Sequence, residues 1–95
     1  MSKNTNNLQI LRMKIDTVDK ILLSTLAKRA KLVRAIGKYK QKHNFKLFDR
    51  KRWGEVIKTR ITLGKSMGLP PSLVHEIFKL IHQHSLSTQR KTTKL

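Results

Sequence analysis

From about Leu8 to about Lys42 the chain runs without a proline and with one interior glycine, Gly37, while its apolar residues return every seven positions. Leu8, Ile15, Leu22 and Ile36 share one phase of this beat, and Leu11, Val18, Leu32 and Tyr39 share the other. Residues spaced in this way fall on one side of an α-helix and form a seam to be buried. At about 1.5 Å of rise per residue the helix is roughly 50 Å long. A compact chain of 95 residues has a radius of gyration of only about 12 Å. The helix must overhang its own domain, and its seam needs a second chain. Length and pattern together predict a homodimer.

One position breaks the seam. Arg29 stands in the first phase, between Leu22 and Ile36, where an apolar residue is expected. A guanidinium does not give up its proton in a protein, and burying it unpaired costs several kcal/mol. The only carboxylate side chains are those of Asp16, Asp19, Asp49, Glu55 and Glu76, so a ligand carboxylate is a candidate partner. Arg12 and Lys40 share a phase with Asp19, Leu26 and Val33, beside the seam. Arg12 lies about 25 Å from Arg29 along the helix axis. A site that holds both must take Arg12 from the second protomer. Read blandly, Arg12 and Lys40 lie on a solvated basic face, their stems snorkelling past the seam.

The rest of the chain reads as two further helices. The stretch 43–48 interrupts the periodicity and is expected to be a loop. Asp49 suits an N-cap for a helix from about Arg50 to Ser66, with Val56, Ile57, Ile61 and Leu63 on its apolar side. Met67, Gly68 and Leu69 read as a glycine-capped C-terminus, and Pro70-Pro71 as the start of a third helix running to about Gln89. Leu73, Val74, Ile77, Phe78, Ile81 and Leu86 should face inward. Residues 1–7 and 91–95 are expected to be flexible ends of a single domain spanning 1–95. The fold class is all-α, with no strand signal and no internal repeat.

Composition narrows the chemistry. There is no cysteine, hence no disulfide, thiolate nucleophile or zinc–thiolate site. The N-terminus MSKNTNN is polar and unlike a secretory signal, and no apolar stretch approaches membrane-spanning length. The expected location is the cytoplasm, with no membrane partner. Twenty-two Lys and Arg against five Asp and Glu give a formal charge of +17, which attracts anions. The basic residues are spread along the chain, the pattern of a solvated surface. A basic helical dimer that binds nucleic acid is the alternative reading of that charge. His75 and His82 share a helix face and His84 points elsewhere, without a carboxylate or further histidine at ligand spacing, so no metal is expected. No catalytic triad, carboxylate pair or glycine-rich phosphate loop is present.

The ordered set of residues does carry a resemblance. Leu11-Arg12-Met13-Lys14-Ile15-Asp16, Asp19, Leu22-Leu23, Arg29 and Ile36-Gly37-Lys38-Tyr39-Lys40 resemble the all-helical class of chorismate mutases. The similarity continues through Asp49, Arg52, the run 59–65, Gly68-Leu69 and the run 77–81, and closes on Ser85 and Gln89. It covers roughly residues 8–90. The resemblance implies three helices per chain, one very long and N-terminal, intertwined as a homodimer. It implies a chorismate mutase of the shikimate pathway and aromatic amino acid biosynthesis. Such an enzyme rearranges chorismate to prephenate without cofactor or metal.

By the same resemblance, Arg29 and Arg52 clamp the carboxylates of a dianionic substrate, and Arg12 reaches in from the partner protomer. Lys40 and Gln89 donate to the ether oxygen, on which negative charge develops as the C–O bond breaks. Ser85 makes a polar contact and Asp49 lies near the ring hydroxyl. One position departs from the pattern. Trp53 stands where these mutases commonly carry a glutamate that accepts from that hydroxyl. Tryptophan has only its indole N–H to offer. The missing acceptor should weaken hydroxyl recognition by on the order of 1–3 kcal/mol. Isochorismate pyruvate-lyases, which share the fold, and mutases for the amino analogue of chorismate are therefore alternative readings.

Overall fold

The computed structural model describes residues 3–93, with side-chain surroundings from 6 to 91. Three α-helices follow one another: α1, Lys3–Lys42; α2, Arg50–Ser66; and α3, Pro71–Thr93. The described residues contain no strand. Among them, no helix is long and apolar enough to cross a membrane. The all-α expectation holds. The helices exceed their expected bounds at the two chain ends: 3–7 extend α1 and 90–93 extend α3. Adding residues to an existing helix avoids the cost of nucleation, so polar flanks can join it. Of the ends expected to be flexible, residues 1, 2, 94 and 95 lie outside the described residues.

The chain divides into two compact units, Met1–Leu32 and Val33–Leu95. The first is helical from Lys3 onward and carries most of the seam. Its apolar side chains are uncovered in the single chain, from 46 % exposed at Leu8 to 65 % at Leu32, with Leu11, Ile15, Val18 and Leu22 between them.

The second unit holds the last turns of α1, α2 and α3. Each helix start and stop has a local cause. α1 ends in a left-handed residue, Asn44 (φ 59°), with Phe45 N–H donating to the Lys40 carbonyl at 2.8 Å and Asn44 N–H to Gln41 at 3.4 Å. Asparagine is among the few non-glycine residues that tolerate this conformation, and the paired bonds form a Schellman cap. α2 opens behind Asp49, whose carboxylate accepts from the Arg52 N–H at 3.0 Å. Its other end is a second Schellman cap: Gly68 at φ 84°, Leu69 N–H donating to Gly64 at 2.9 Å and Gly68 N–H to Lys65 at 3.1 Å. Pro70 follows, and Pro71 is the first residue of α3, where its missing N–H costs nothing.

Val33, Val56 and Val74 are the buried apolar side chains of the described residues. α2 and α3 approach closely at Gly64, where an added Cβ would lie 2.6 Å from Val74 Cγ2. Valine is stiff at χ1 and cannot swing away cheaply. Gly64→Ala is therefore expected to lose stability. Overpacking costs about 1–3 kcal/mol, against a gain of at most about 1 kcal/mol in helix propensity. Gly54→Ala, where an added Cβ meets nothing within 4 Å, should instead gain. Urea denaturation of both variants checks the contrast. Leu73 and Ile77, expected to face inward, and Leu63, expected on the apolar side of α2, are about half exposed in the single chain.

Candidate active site

The second unit brings two residues far apart in sequence into direct contact. Lys40 Nζ donates to Gln89 Oε1 at 2.9 Å and to the Leu47 carbonyl at 2.6 Å. Lys40 is held from two directions, because its own carbonyl accepts the Phe45 N–H of the α1 cap. The loop that follows α1 thus turns back and holds the side chain of Lys40 through a carbonyl seven residues on. An ammonium has three protons, and these two bonds use two of them. Gln89 is buried, 6 % exposed. Its carboxamide oxygen accepts from Lys40, which leaves the NH2 group as the side chain's remaining donor.

Burial lowers the Lys40 pKa from the usual lysine value by desolvating the ammonium, and the negative charge of Asp49 partly offsets this. Gly37, one turn before Lys40, is buried. An added Cβ there would stand 3.2 Å from Gln89 Cα and 3.3 Å from its Cγ. Ser85, one turn before Gln89 on α3, is also buried, and its hydroxyl donates to the Ile81 carbonyl at 2.8 Å.

The other expected site residues are placed as follows. Arg52 is exposed and pairs loosely with Glu55 at 3.6 Å across one turn of α2. Trp53 is partly buried, its indole stacked on the His82 ring with centroids 4.1 Å apart and planes at 19°. Phe48 packs against the same imidazole, tilted at 58° and 5.7 Å. Arg12 and Arg29 belong to the first unit. Arg12 is exposed and Arg29 partly buried. The burial expected around Arg29 is incomplete in the single chain, since Leu22 and Leu32 are exposed. Lys40, Gln89, Ser85, Asp49, Arg52 and Trp53 all fall in the second unit.

Residues 11–90 match the family model for chorismate mutase type II. The chain belongs to the chorismate mutase type II family. It is 35 % identical over 85 residues to the bifunctional chorismate mutase/prephenate dehydratase of Escherichia coli K12, covering 90 % of this chain and 22 % of that one. To the T-protein of Enterobacter agglomerans it is 30 % identical over 82 residues, covering 86 % of this chain and 22 % of the relative. The chain thus spans a little over a fifth of the length of these curated relatives. A solved structure of a conserved hypothetical protein from Pyrococcus furiosus is 32 % identical with a TM-score of 0.72. That alignment covers 94 % of this chain and 99 % of the other.

For this chorismate mutase type II chain, the fold adds one residue to the candidate set. His82 stands one turn before Ser85 and two turns before Gln89, so the three share a face of α3. In the sequence His82 is legible only as one histidine near two others. Its aromatic setting comes from Phe48 and Trp53, more than twenty-five residues away. Among the described residues, no group of three or more His, Cys, Asp or Glu side chains is placed to hold a metal ion.

Proposed function

We propose that the chain is a chorismate mutase, rearranging chorismate to prephenate by a pericyclic step, and that it works as a homodimer. The observation that carries this reading is the Lys40–Gln89 pair. With two of its protons committed, Lys40 keeps a third for an incoming acceptor. Gln89, its oxygen taken by Lys40, has only N–H donors left to offer. A cation and an amide donor side by side suit an ether oxygen that gains negative charge as its C–O bond breaks.

Arg29, Arg52 and the partner's Arg12 are assigned to the two substrate carboxylates, holding the enolpyruvyl side chain over the ring. Arg52 can change partners readily, since an exposed pair such as Arg52–Glu55 contributes about 0–1 kcal/mol. Ser85 would release its proton from Ile81 to meet a substrate oxygen. Asp49 serves near the ring hydroxyl while capping α2. Dimer formation is supported by the uncovered seam of α1, a row of leucines, isoleucines and valine that water disfavours. The high positive charge raises the encounter rate with a dianion.

Trp53 favours a second reading, in which the ring hydroxyl is not read by a carboxylate and the substrate is isochorismate or the amino analogue. Incubation with chorismate, isochorismate and amino-deoxychorismate separates these. Loss of chorismate absorbance with a product of unchanged mass supports the mutase. Release of pyruvate from isochorismate, with chorismate untouched, refutes it.

A pH dependence follows from Lys40. The ammonium is the active form, and burial lowers its pKa. In the free enzyme kcat/KM should therefore be full below that pKa and fall as pH rises through it, with an inflection below the usual lysine range. Between the folded and unfolded pKa values the unfolded chain binds more protons, so this group makes stability rise with pH there. Deprotonation of Lys40 therefore does not by itself destabilise the fold. An inflection at or above the usual lysine value would count against the assignment.

A further inference from the structure

We propose that Gly37 is a positioning residue for the Lys40–Gln89 pair, because the absence of a Cβ lets Gln89 come within reach of Lys40. For its activity arm this rests on the mutase reading. Gly37 lies three residues before Lys40, about 4.5 Å along the helix and on the same face. A point of close approach between α3 and α1 therefore lies one turn from the ammonium. The residue that touches there is Gln89 itself, through Cα, Cβ and Cγ at 3.2–3.4 Å from the added Cβ.

Two of those atoms sit at the base of the side chain, so relief requires α3 to withdraw by a few tenths of an ångström. The Lys40–Gln89 bond, now 2.9 Å, then moves toward the end of the hydrogen-bonding range at about 3.2 Å. Lysine is flexible, but here it cannot simply follow. Its Nζ is also tethered to the Leu47 carbonyl at 2.6 Å. The carboxamide loses the partner that sets its orientation, and its N–H groups lose their aim.

The test is a set of four variants: Gly37→Ala, Gln89→Ala, the double variant, and Gly54→Ala as a control. Gly37→Ala is expected to lower kcat by about tenfold or more with KM little changed, since small misplacements of catalytic groups are costly. Its melting temperature should change little, the gain in helix propensity offsetting the small withdrawal of α3. Gly54→Ala should keep full activity. In the Gln89→Ala background the Gly37 substitution should have no further effect on kcat, because the residue it acts through is gone.

Independently of turnover, the Gln89 side-chain amide resonance should shift in Gly37→Ala and stay in place in Gly54→Ala. An equal fold-loss with and without Gln89 overturns the proposal. So does an unshifted amide, or a Gly37→Ala chain that fails to fold, for the glycine would then be a packing requirement. If the wild-type chain leaves chorismate untouched, the mutase reading fails by itself and the amide resonance still decides the role of Gly37.

Discussion

Replacing Lys40 by alanine is expected to lower kcat by on the order of 100–1,000-fold, the cost of removing one preorganised donor from a developing oxyanion. Two effects add in the same direction. The ammonium proposed to face the ether oxygen is lost, and so is the group that bonds the Gln89 carboxamide at 2.9 Å. The fold should survive. Lys40 is a partly desolvated cation whose charged form burial disfavours, so its removal relieves as well as costs. Far-UV circular dichroism should remain helical while turnover collapses. Lys40→Arg keeps the charge, but a planar fork cannot reproduce a compact group shared between Leu47 and Gln89. A substantial loss is expected there too. Steady-state kinetics of both variants with chorismate would measure it, and kcat within a few-fold of wild type for Lys40→Ala would remove the pair from the mechanism.

The second large effect concerns where Arg12 acts. If it serves the partner's site, Arg12→Ala and Lys40→Ala chains are each nearly inactive alone yet complement each other. In a mixed dimer one site takes Lys40 from the first chain and Arg12 from the second, and is intact. The other site lacks both. Random assembly of equal amounts makes half the dimers mixed, so turnover should return to about a quarter of wild type. Co-refolding the two variants and assaying the mixture gives the answer. Activity no higher than the sum of the separate chains would mean that Arg12 works within its own chain or not at all.

Features set by local chemistry were the ones readable in advance. Asp49 as an N-cap, the Gly68 turn and the Pro70-Pro71 entry to α3 depend on neighbours a few residues away, and the structure places all three as expected. The long helix was legible from its seven-residue beat. Periodicity says that a face is apolar, not what covers it, which is why Leu73 and Ile77 read as inward-facing and yet stand exposed in the single chain.

The candidate site was legible as a list and not as a geometry. Nothing in the sequence says that Lys40 meets Gln89, because 49 residues separate them and their contact depends on how α3 returns to α1. The same holds for Trp53. Its identity is plain in the sequence, but its stacking on His82 is a tertiary fact. Gly37 is the subtler case: a glycine inside a helix reads as a weakness until the residue opposite is known.

The core of three valines among the described residues has a consequence beyond packing. So few buried side chains set against the conformational entropy of 95 residues leave little margin for a lone protomer. If a second copy covers the seam of α1, folding and assembly become one equilibrium, and protomer concentration enters the stability directly. Dilution then acts on this chain as a denaturant does. The midpoint of its thermal transition would then climb with each increase in protein concentration.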